Sequence, residues 1–222
     1  MAGVLAGFCV MAVVVIGVLV GITPLVDARR QRLLRQCLLD MCDVLNSHGV
    51  DYWCDFGTLL GYYRDHDVIR SDYDVDLCLL AEEKPALIGL VSAFKARGYT
   101  LTDSNGTTKL VIRIANDRTG YYADTYVYRV DGPMARSTFR SVEDVPLALV
   151  ANRVAVPFLG GTIRIPQDVE PLLLHRYGPT YRVPRRGDQG LAYGYSRIRT
   201  LVRLLENNLL GIWSIVRPLW TR

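Results

Sequence analysis

Three aspartates occupy alternate positions near the middle of the chain, and this spacing limits what the segment around them can form. In a β-strand, side chains two positions apart lie on the same face, so Asp72, Asp74 and Asp76 would point the same way. Val75 and Leu77 would then point into a core. Carboxylates gathered on one face raise one another's pKa unless a cation lies among them. Mg²⁺ and Mn²⁺ favour such oxygen ligands, so the pattern predicts a divalent-metal site, with a solvated acidic edge strand as the alternative.

A glycine-bracketed turn with the sequence GTLLG lies just upstream of the aspartates. It follows a predicted strand at residues 50–56 and leads into a predicted short helix at residues 59–64. The backbone amides of Gly57 and Thr58, at the start of that helix, are candidates to bind a phosphate. Arg64 is a candidate to pair with a phosphate or to orient an aspartate. The alternative is an ordinary turn between a strand and a helix.

A fourth acidic candidate lies in a later strand. Residues 121–130 are predicted as a strand that follows another strand at residues 109–115. Asp124 lies in the second strand, where a carboxylate needs a partner, and we interpret it as a fourth metal-directed acid. A hydrogen-bonded or exposed strand aspartate is the alternative. Lys109 and Arg113 lie four positions apart on the first strand and share a face, so they would contact a diphosphate or else be surface charge.

The length of the chain, 222 residues, predicts one domain of ordinary size with extensions. Half of the 222 residues are hydrophobic, which is enough for a real core. Periodicity and turn residues predict helices at 28–48, 82–97 and 168–177, a strand at 73–80, and a hairpin of residues 154–158 with 162–165.

Charge and cysteine content exclude some partners and cofactors. The net charge of +4, from 26 basic and 22 acidic residues, is too small to argue for nucleic acid, and no nucleic-acid partner is expected. The five cysteines contain no CxxC pair, which argues against a zinc site. Free buried thiols are the simpler interpretation.

Apolar segments near both ends predict contact with a lipid bilayer. Residues 1–26 contain no charged side chain and include a run long enough to cross a membrane, which predicts an uncleaved anchor, with a cleaved signal peptide as the alternative. Four arginines between positions 29 and 35 follow this run, and the positive-inside rule then places the rest of the chain in the cytosol. Residues 191–222 contain an amphipathic helix that would lie in the membrane interface or pack on the domain.

The segment GTLLGYYRDHDVIRSDYDVDL resembles, without a gap, the signature of the LicD family of phosphotransferases, in which G-T-L-L-G-x-x-R precedes D-x-D-[VI]-D. The form D-Y-D-V-D is most similar to the branch of fukutin-related protein. Asp124 matches a lone strand aspartate of the family, and residues 156–178 resemble its closing block. The similarity spans about residues 36–187. Arg70 and Ser71 replace the usual Pro-Trp, which leaves the contacts on the sugar side open.

The resemblance implies a fold and a division of the chain. The fold would be α/β (α+β), a nucleotidyltransferase-like mixed sheet flanked by helices, with an N-terminal transmembrane helix. The parts would be an anchor at residues 1–26, a catalytic domain at 27–190 and an amphipathic C-terminal helix at 191–222. Members anchored in this way hold the catalytic part in the Golgi lumen, which opposes the orientation that the arginines favour.

The resemblance also implies an activity. Family members transfer a phosphorylated alcohol, of the ribitol phosphate or phosphocholine type, from a CDP-alcohol donor to a glycan acceptor and release CMP. The candidates for metal binding and catalysis are four aspartates: Asp72, Asp74, Asp76 and Asp124. The candidates for substrate binding are Gly57, Thr58, Arg64, Lys109 and Arg113. The cofactor would be Mg²⁺ or Mn²⁺, and Asp124 is the preferred group to take the proton of the acceptor.

Three other functions remain open at this point. A strict nucleotidyltransferase would move a nucleoside monophosphate and release pyrophosphate instead of CMP. A catalytically inactive scaffold in a membrane complex would bind CDP and Mg²⁺ without turnover. A structural membrane protein with merely exposed acids would bind neither ligand.

Overall fold

The structure is a computed structural model that describes residues 27–70, 72–103, 111–116 and 122–184. The predicted anchor at residues 1–26 and the predicted tail helix at residues 191–222 lie outside these ranges and stay predictions. Within the described ranges, no helix is both long enough and apolar enough to cross a membrane.

The described strands form one mixed sheet and one separate hairpin. The sheet contains β1 (Trp53–Cys54), β2 (Asp74–Leu80), β3 (Tyr99–Asp103), β4 (Val111–Asn116), β5 (Tyr122–Asp131), β6 (Met134–Ser137) and β7 (Val145–Pro146). The order is β1-β2-β5-β4-β3, with β6 paired to the second half of β5 and β7 paired to β6. β2 and β5 run parallel, whereas the other pairs in this sheet are antiparallel. The hairpin consists of β8 (Arg153–Phe158) and β9 (Gly161–Pro166).

Helices flank this sheet. The described α-helices are α1 (27–47), α2 (Phe56–Leu60), α3 (Lys84–Gly89), α4 (Val91–Ala96) and α5 (Val169–Tyr177). A π-helical turn, Gly61–Asp65, continues α2. The prediction of an α+β fold with a mixed sheet flanked by helices is therefore confirmed.

The helix predicted at residues 28–48 is confirmed as α1, and its apolar face explains why it forms. Leu34, Leu38, Met41 and Leu45 recur at three-to-four spacing, and all four side chains are fully buried. Gly49 follows the last turn with a φ of 68°, a left-handed conformation that favours glycine after a helix.

Two predicted elements differ from the observed ones. The strand predicted at residues 50–56 is reduced to β1, because the Asp55 carboxylate accepts the N–H of Phe56 and starts α2 there. The helix predicted at residues 82–97 is divided into α3 and α4, because Leu90 has a ψ of 9° and interrupts the helical backbone.

β2 follows the alternation that its sequence predicts. Val75 and Leu77 are fully buried, whereas Asp74 and Asp76, which alternate with them, keep some exposure. The prediction that these apolar residues enter the core is confirmed. The prediction of free buried thiols is likewise confirmed for the four cysteines in the described ranges.

Candidate active site

The parallel pairing of β2 with β5 brings Asp76 next to Asp124. The two residues are register partners, so they lie at the same level of neighbouring strands and on the same face of the sheet. Such strands are roughly 5 Å apart. Asp74 lies two positions before Asp76 on β2 and shares its face. Three of the four predicted acids are thus gathered on one face.

Asp72 reaches this region from the loop that precedes β2. The strand begins at Asp74, so Asp72 is not a strand residue, and the prediction that the three alternating acids share one strand is wrong for it. Its N–H donates to Ile69 O at 3.0 Å and turns the chain there. A methyl group built on Gly57 would overlap Asp72 Oδ2 and would lie 3.6 Å from Asp76 Oδ2. Gly57 therefore leaves room for the Asp72 carboxylate beside Asp76.

The Asp72 carboxyl lies between like and unlike charges. Burial raises the pKa of Asp72 to about 8, and the neighbouring Asp74 carboxylate adds to the rise. The guanidinium groups of Arg64 and Arg30 lower the same pKa. Asp72 thus lies near both acidic and basic side chains.

Asp76 lies among several other carboxylates. Burial raises the pKa of Asp76 well above its usual range, and the charges of Asp74, Asp124 and Asp72 raise it further. A bound cation relieves repulsion of this kind. Among the described residues, no group of three or more acids, histidines or cysteines has side chains in positions that could hold a metal ion. The donor set has the chemistry for a hard cation, but the carboxylates would have to converge further to ligate one.

The turn with the GTLLG sequence holds the backbone of Asp76. The Asp76 C=O accepts the Asp55 N–H at 3.3 Å, and the Asp76 N–H donates to Thr58 Oγ1 at 2.8 Å. Thr58, a predicted phosphate contact, is buried and uses its hydroxyl oxygen on the protein itself. Both partners of Asp76 therefore come from the start of α2.

A buried ion pair lies behind this turn. Arg176 on α5 donates from Nη2 to Asp55 Oδ2 at 2.7 Å and from Nε to Asp55 Oδ1 at 3.2 Å, which makes the contact bidentate. Asp55 is 0% exposed and Arg176 is 6% exposed. The Arg176 guanidinium also lies 4.3 Å from the centre of the Phe56 ring. The pair joins α5 to the first residue of α2.

Other groups complete the hydrogen bonding of this pair. Asp55 also accepts the first N–H of α2 at 2.7 Å and the indole N–H of Trp53 at 3.1 Å. Arg176 donates to Glu143 O at 2.6 Å and to the Tyr128 hydroxyl at 3.1 Å. The motifs in the sequence point to neither member of the pair. An aspartate just before a helix is a readable capping signal, whereas a partner 121 positions later leaves no local signal.

Of the three basic residues predicted to contact substrate, the structure describes the side chain of one and only the backbone of another. Arg64 lies in the π-helical turn, where its Nε donates to Asp65 Oδ1 at 2.8 Å. Arg113 on β4 is the register partner of Asp124, so its backbone lies at the level of the acidic cluster. Lys109 lies outside the described residues.

Arg30 is a buried cation that the motifs do not identify as part of the site. It lies on α1 and is 3% exposed. Its Nη2 donates to Asp27 Oδ1 at 2.6 Å and to Arg70 O at 3.1 Å. Its Cζ lies 4.2 Å from the centre of the Tyr73 ring. Arg30 therefore contacts the chain on both sides of Asp72.

Comparison with known families and proteins gives one family match. Residues 49–168 match the family described as LicD/FKTN/FKRP, nucleotidyltransferase domain. The matched segment contains all four predicted acids, and the LicD resemblance with its fukutin-related branch is confirmed.

The individual proteins that match the chain have less than 30% sequence identity to it. The chain is 29% identical over 160 residues to human ribitol 5-phosphate transferase FKRP, which covers 67% of this chain and 32% of that protein. It is 29% identical over 77 residues to the uncharacterized protein RP689 of Rickettsia prowazekii, which covers 35% of this chain and 29% of that protein. The chain thus spans about a third of the length of these relatives. A solution structure of the antibiotic-resistance factor ANT(2'')-Ia aligns over 86% of this chain and 96% of that chain, with 12% identity and a TM-score of 0.48, too low to support a conclusion.

Proposed function

Because the chain belongs to the LicD/FKTN/FKRP nucleotidyltransferase domain family, we propose that it is a metal-dependent phosphotransferase. It moves a phospho-alcohol, of the ribitol phosphate or phosphocholine type, from a CDP-alcohol to a glycan hydroxyl and releases CMP. The similarity to human ribitol 5-phosphate transferase FKRP supports this class of reaction.

One structural observation carries the proposal. Asp76 and Asp124 are adjacent on parallel strands, Asp74 shares their face, and Asp72 approaches from the preceding loop beside Gly57. Acids that raise one another's pKa in a buried site are costly unless they serve a ligand, and this arrangement supports a charged substrate complex rather than a solvated acidic face.

The acidic residues have the donor chemistry for a divalent cation. Carboxylate oxygens suit Mg²⁺ or Mn²⁺, and Gly57 provides space for the Asp72 carboxylate, which must move closer to the other acids to share an ion with them. Asp72, Asp74, Asp76 and Asp124 would hold one or two such ions. The ions, when bound, would neutralise the diphosphate and stabilise the attacking and leaving oxygens. Asp124 takes the proton of the acceptor hydroxyl.

The remaining candidates bind the donor. The backbone amides of Gly57 and Thr58 contact the nucleotide phosphate, and Arg64 pairs with a phosphate oxygen. Lys109 and Arg113 contact the diphosphate, and the backbone of Arg113 on β4 is level with the acidic cluster. In-line displacement at the alcohol-bearing phosphorus then needs only that these groups orient the donor against the acceptor.

The test is CMP release from CDP-ribitol, CDP-choline and CDP-glycerol in the presence of Mg²⁺. Asp74→Asn and Asp76→Asn are expected to abolish release, because a neutral amide is a poor ligand for a hard cation. The control variant Asp131→Asn changes an acid whose side chain is 70% exposed and should keep full turnover. Full metal-dependent turnover in either of the first two variants would refute the assignment. Pyrophosphate release without CMP would indicate a strict nucleotidyltransferase.

We also propose that residues 1–26 anchor the protein as a single pass in the secretory pathway, with the Golgi as the expected compartment and residues 191–222 against the bilayer. The support is the uncharged apolar run and the family resemblance. Extraction of membranes at alkaline pH should leave the full chain in the pellet and should release a chain that lacks residues 1–26. A full chain that is released as completely as the shortened one would contradict the anchor.

A further inference from the structure

On the side away from β5, the backbone of Asp76 is held by a single turn of the chain. Its N–H has one hydrogen to donate, and Thr58 Oγ1 accepts it at 2.8 Å, so β5 does not receive this bond. Its C=O is bonded to the Asp55 N–H at 3.3 Å. Residues 55–58 therefore hold Asp76 from one side, while the pairing of β2 with β5 holds the strand from the other side.

That turn is too short to hold itself in place. β1 has two residues, α2 and the π-helical turn that continues it have five each, and a helix of this length is not stable without tertiary contacts. Leu59 and Leu60 of α2 are fully buried and supply the apolar contacts. Asp55 supplies the polar ones, because its two carboxylate oxygens accept from the first N–H of α2, from Trp53 Nε1 and twice from Arg176. Arg176 is in turn fixed by Glu143 O and by the Tyr128 hydroxyl, both outside the turn.

We infer that Arg176 is a positioning residue for Asp76. Arg176 orients the Asp55 carboxylate, Asp55 fixes the start of α2, and α2 with Asp55 holds both backbone polar groups of Asp76. A buried ion pair is weak evidence for stability, because hydrophobic replacements are often neutral. The pair lies next to the turn that bonds to Asp76, and Asp76 is the register partner of Asp124. This is the location expected of a pair that fixes the geometry of the site.

The first test needs no ligand. In the full chain, hydrogen exchange of the peptide that covers β2 is compared with exchange of a peptide from α1. Arg176→Met should raise exchange of the β2 peptide by about tenfold relative to α1, because the bonds to Asp76 open more often. The matched control is Arg153→Met, since Arg153 is also a buried cation with one acid partner, Asp51, and lies 4.7 Å from the centre of an aromatic ring, that of Trp53. This control disturbs Trp53, which donates to Asp55, but removes no bond to Asp55 itself, so the ratio should change by less than about twofold.

The second test rests on the proposed function, because it uses the metal site. The dissociation constant for Mn²⁺ alone should rise about tenfold in Arg176→Met, as is typical when a residue behind a ligand is changed, and should change less than about twofold in Arg153→Met. The measured dissociation constant rises in proportion as the folded fraction falls, so the comparison is made where circular dichroism shows every variant to be folded, and a merely stabilising role would then not alter it.

The outcomes separate the two proposals. If Arg176→Met does not fold, Arg176→Lys takes its place, because lysine keeps the charge and loses the bidentate fork, and both readouts should then change by a smaller factor. If the Arg176 variants match Arg153→Met in both readouts, the inference is overturned. If the wild-type protein binds no Mn²⁺, the metal site of the proposed function fails, and the exchange ratio of β2 still decides the role of Arg176.

Discussion

Gly57 shows how a single residue limits the site, because the Asp72 carboxylate occupies the space that a side chain would fill. Its backbone is not in the left-handed region, so the conformation permits alanine there, but the methyl group would displace the Asp72 carboxylate. The glycine of the GTLLG sequence therefore has a role in the site beside the predicted phosphate contact.

We expect Gly57→Ala to lower CMP release roughly 100-fold, because the methyl group displaces the Asp72 carboxylate by about an ångström. The melting temperature should change little. Gly89→Ala is the control, since a methyl group on Gly89 meets nothing within 4 Å. Wild-type turnover in Gly57→Ala would show that the carboxylates do not need this space.

Thr58 gives a second prediction at the residue scale. Thr58→Val keeps the shape of the side chain and removes the acceptor of the Asp76 N–H, which leaves a buried donor unpaired and should cost about 1–3 kcal/mol in the free energy of unfolding. Thr58→Ser keeps the acceptor and should cost less. Urea unfolding of the three proteins measures the difference, and equal losses for valine and serine would contradict the role of the hydroxyl.

Single residues also show what could be predicted from the sequence. The alternation of Val75 and Leu77 with acids identified the buried face of β2, because strand periodicity is local. The close approach of Asp72 to Gly57 and the pairing of Asp55 with Arg176 depend on contacts between distant segments, and no local pattern encodes them.

At the scale of elements, α1 holds the loop that leads to Asp72. Arg35 and Gln31 both donate to the Asp67 carboxylate, and Gln31 also donates to Val68 O at 2.6 Å. Arg30 bonds to the same loop at Arg70 O. The helix that precedes the motifs is therefore part of the support of the acidic cluster.

Asp67→Ala should lower the free energy of unfolding by about 1–3 kcal/mol and should reduce turnover, because it removes the acceptor for two α1 side chains and for the Val68 N–H. Asp131→Ala, which removes an exposed ion pair with Arg136, should change stability by less than about 0.5 kcal/mol. Urea unfolding and CMP release measure both variants. Equal losses for the two would show that α1 does not support the loop.

The periodicity of long elements was sufficient to predict α1 and the hairpin of β8 and β9. It did not predict the division of 82–97 into two helices, because both halves keep the same buried stripe, which includes Leu87 and Phe94. The length of β1 was also overestimated at its C-terminal end. An aspartate can either continue a strand or cap a helix, and Asp55 caps α2 while it is paired with the distant Arg176.

At the scale of the whole molecule, the strand order creates the site. β2 lies between β1 and β5, so residues separated by β3 and β4 in the chain become neighbours in the sheet. The sequence alone supplies the acids but not this register, because nothing local to β5 specifies that Asp124 pairs with Asp76.

Ligand binding should therefore stabilise the whole domain. With Mg²⁺ and CDP at about 100 times the dissociation constant, the free energy of unfolding should rise by about 2.7 kcal/mol, which differential scanning fluorimetry records as a higher melting temperature. Asp76→Asn should remove most of this rise, and Asp131→Asn should keep it. An equal rise in both variants would place the ligand elsewhere.

The contact between Asp55 and Arg176 also has a consequence for biosynthesis. The two residues are 121 positions apart, so a nascent chain on the ribosome exposes the N-terminal member long before its counterion has been translated. Until α5 emerges, burial of Asp55 would leave its carboxylate without a counterion. We therefore expect the sheet around Asp55 to remain unfolded until then. The domain should thus acquire protease resistance late, in one step that follows translation of α5, instead of gradually from its N-terminal end.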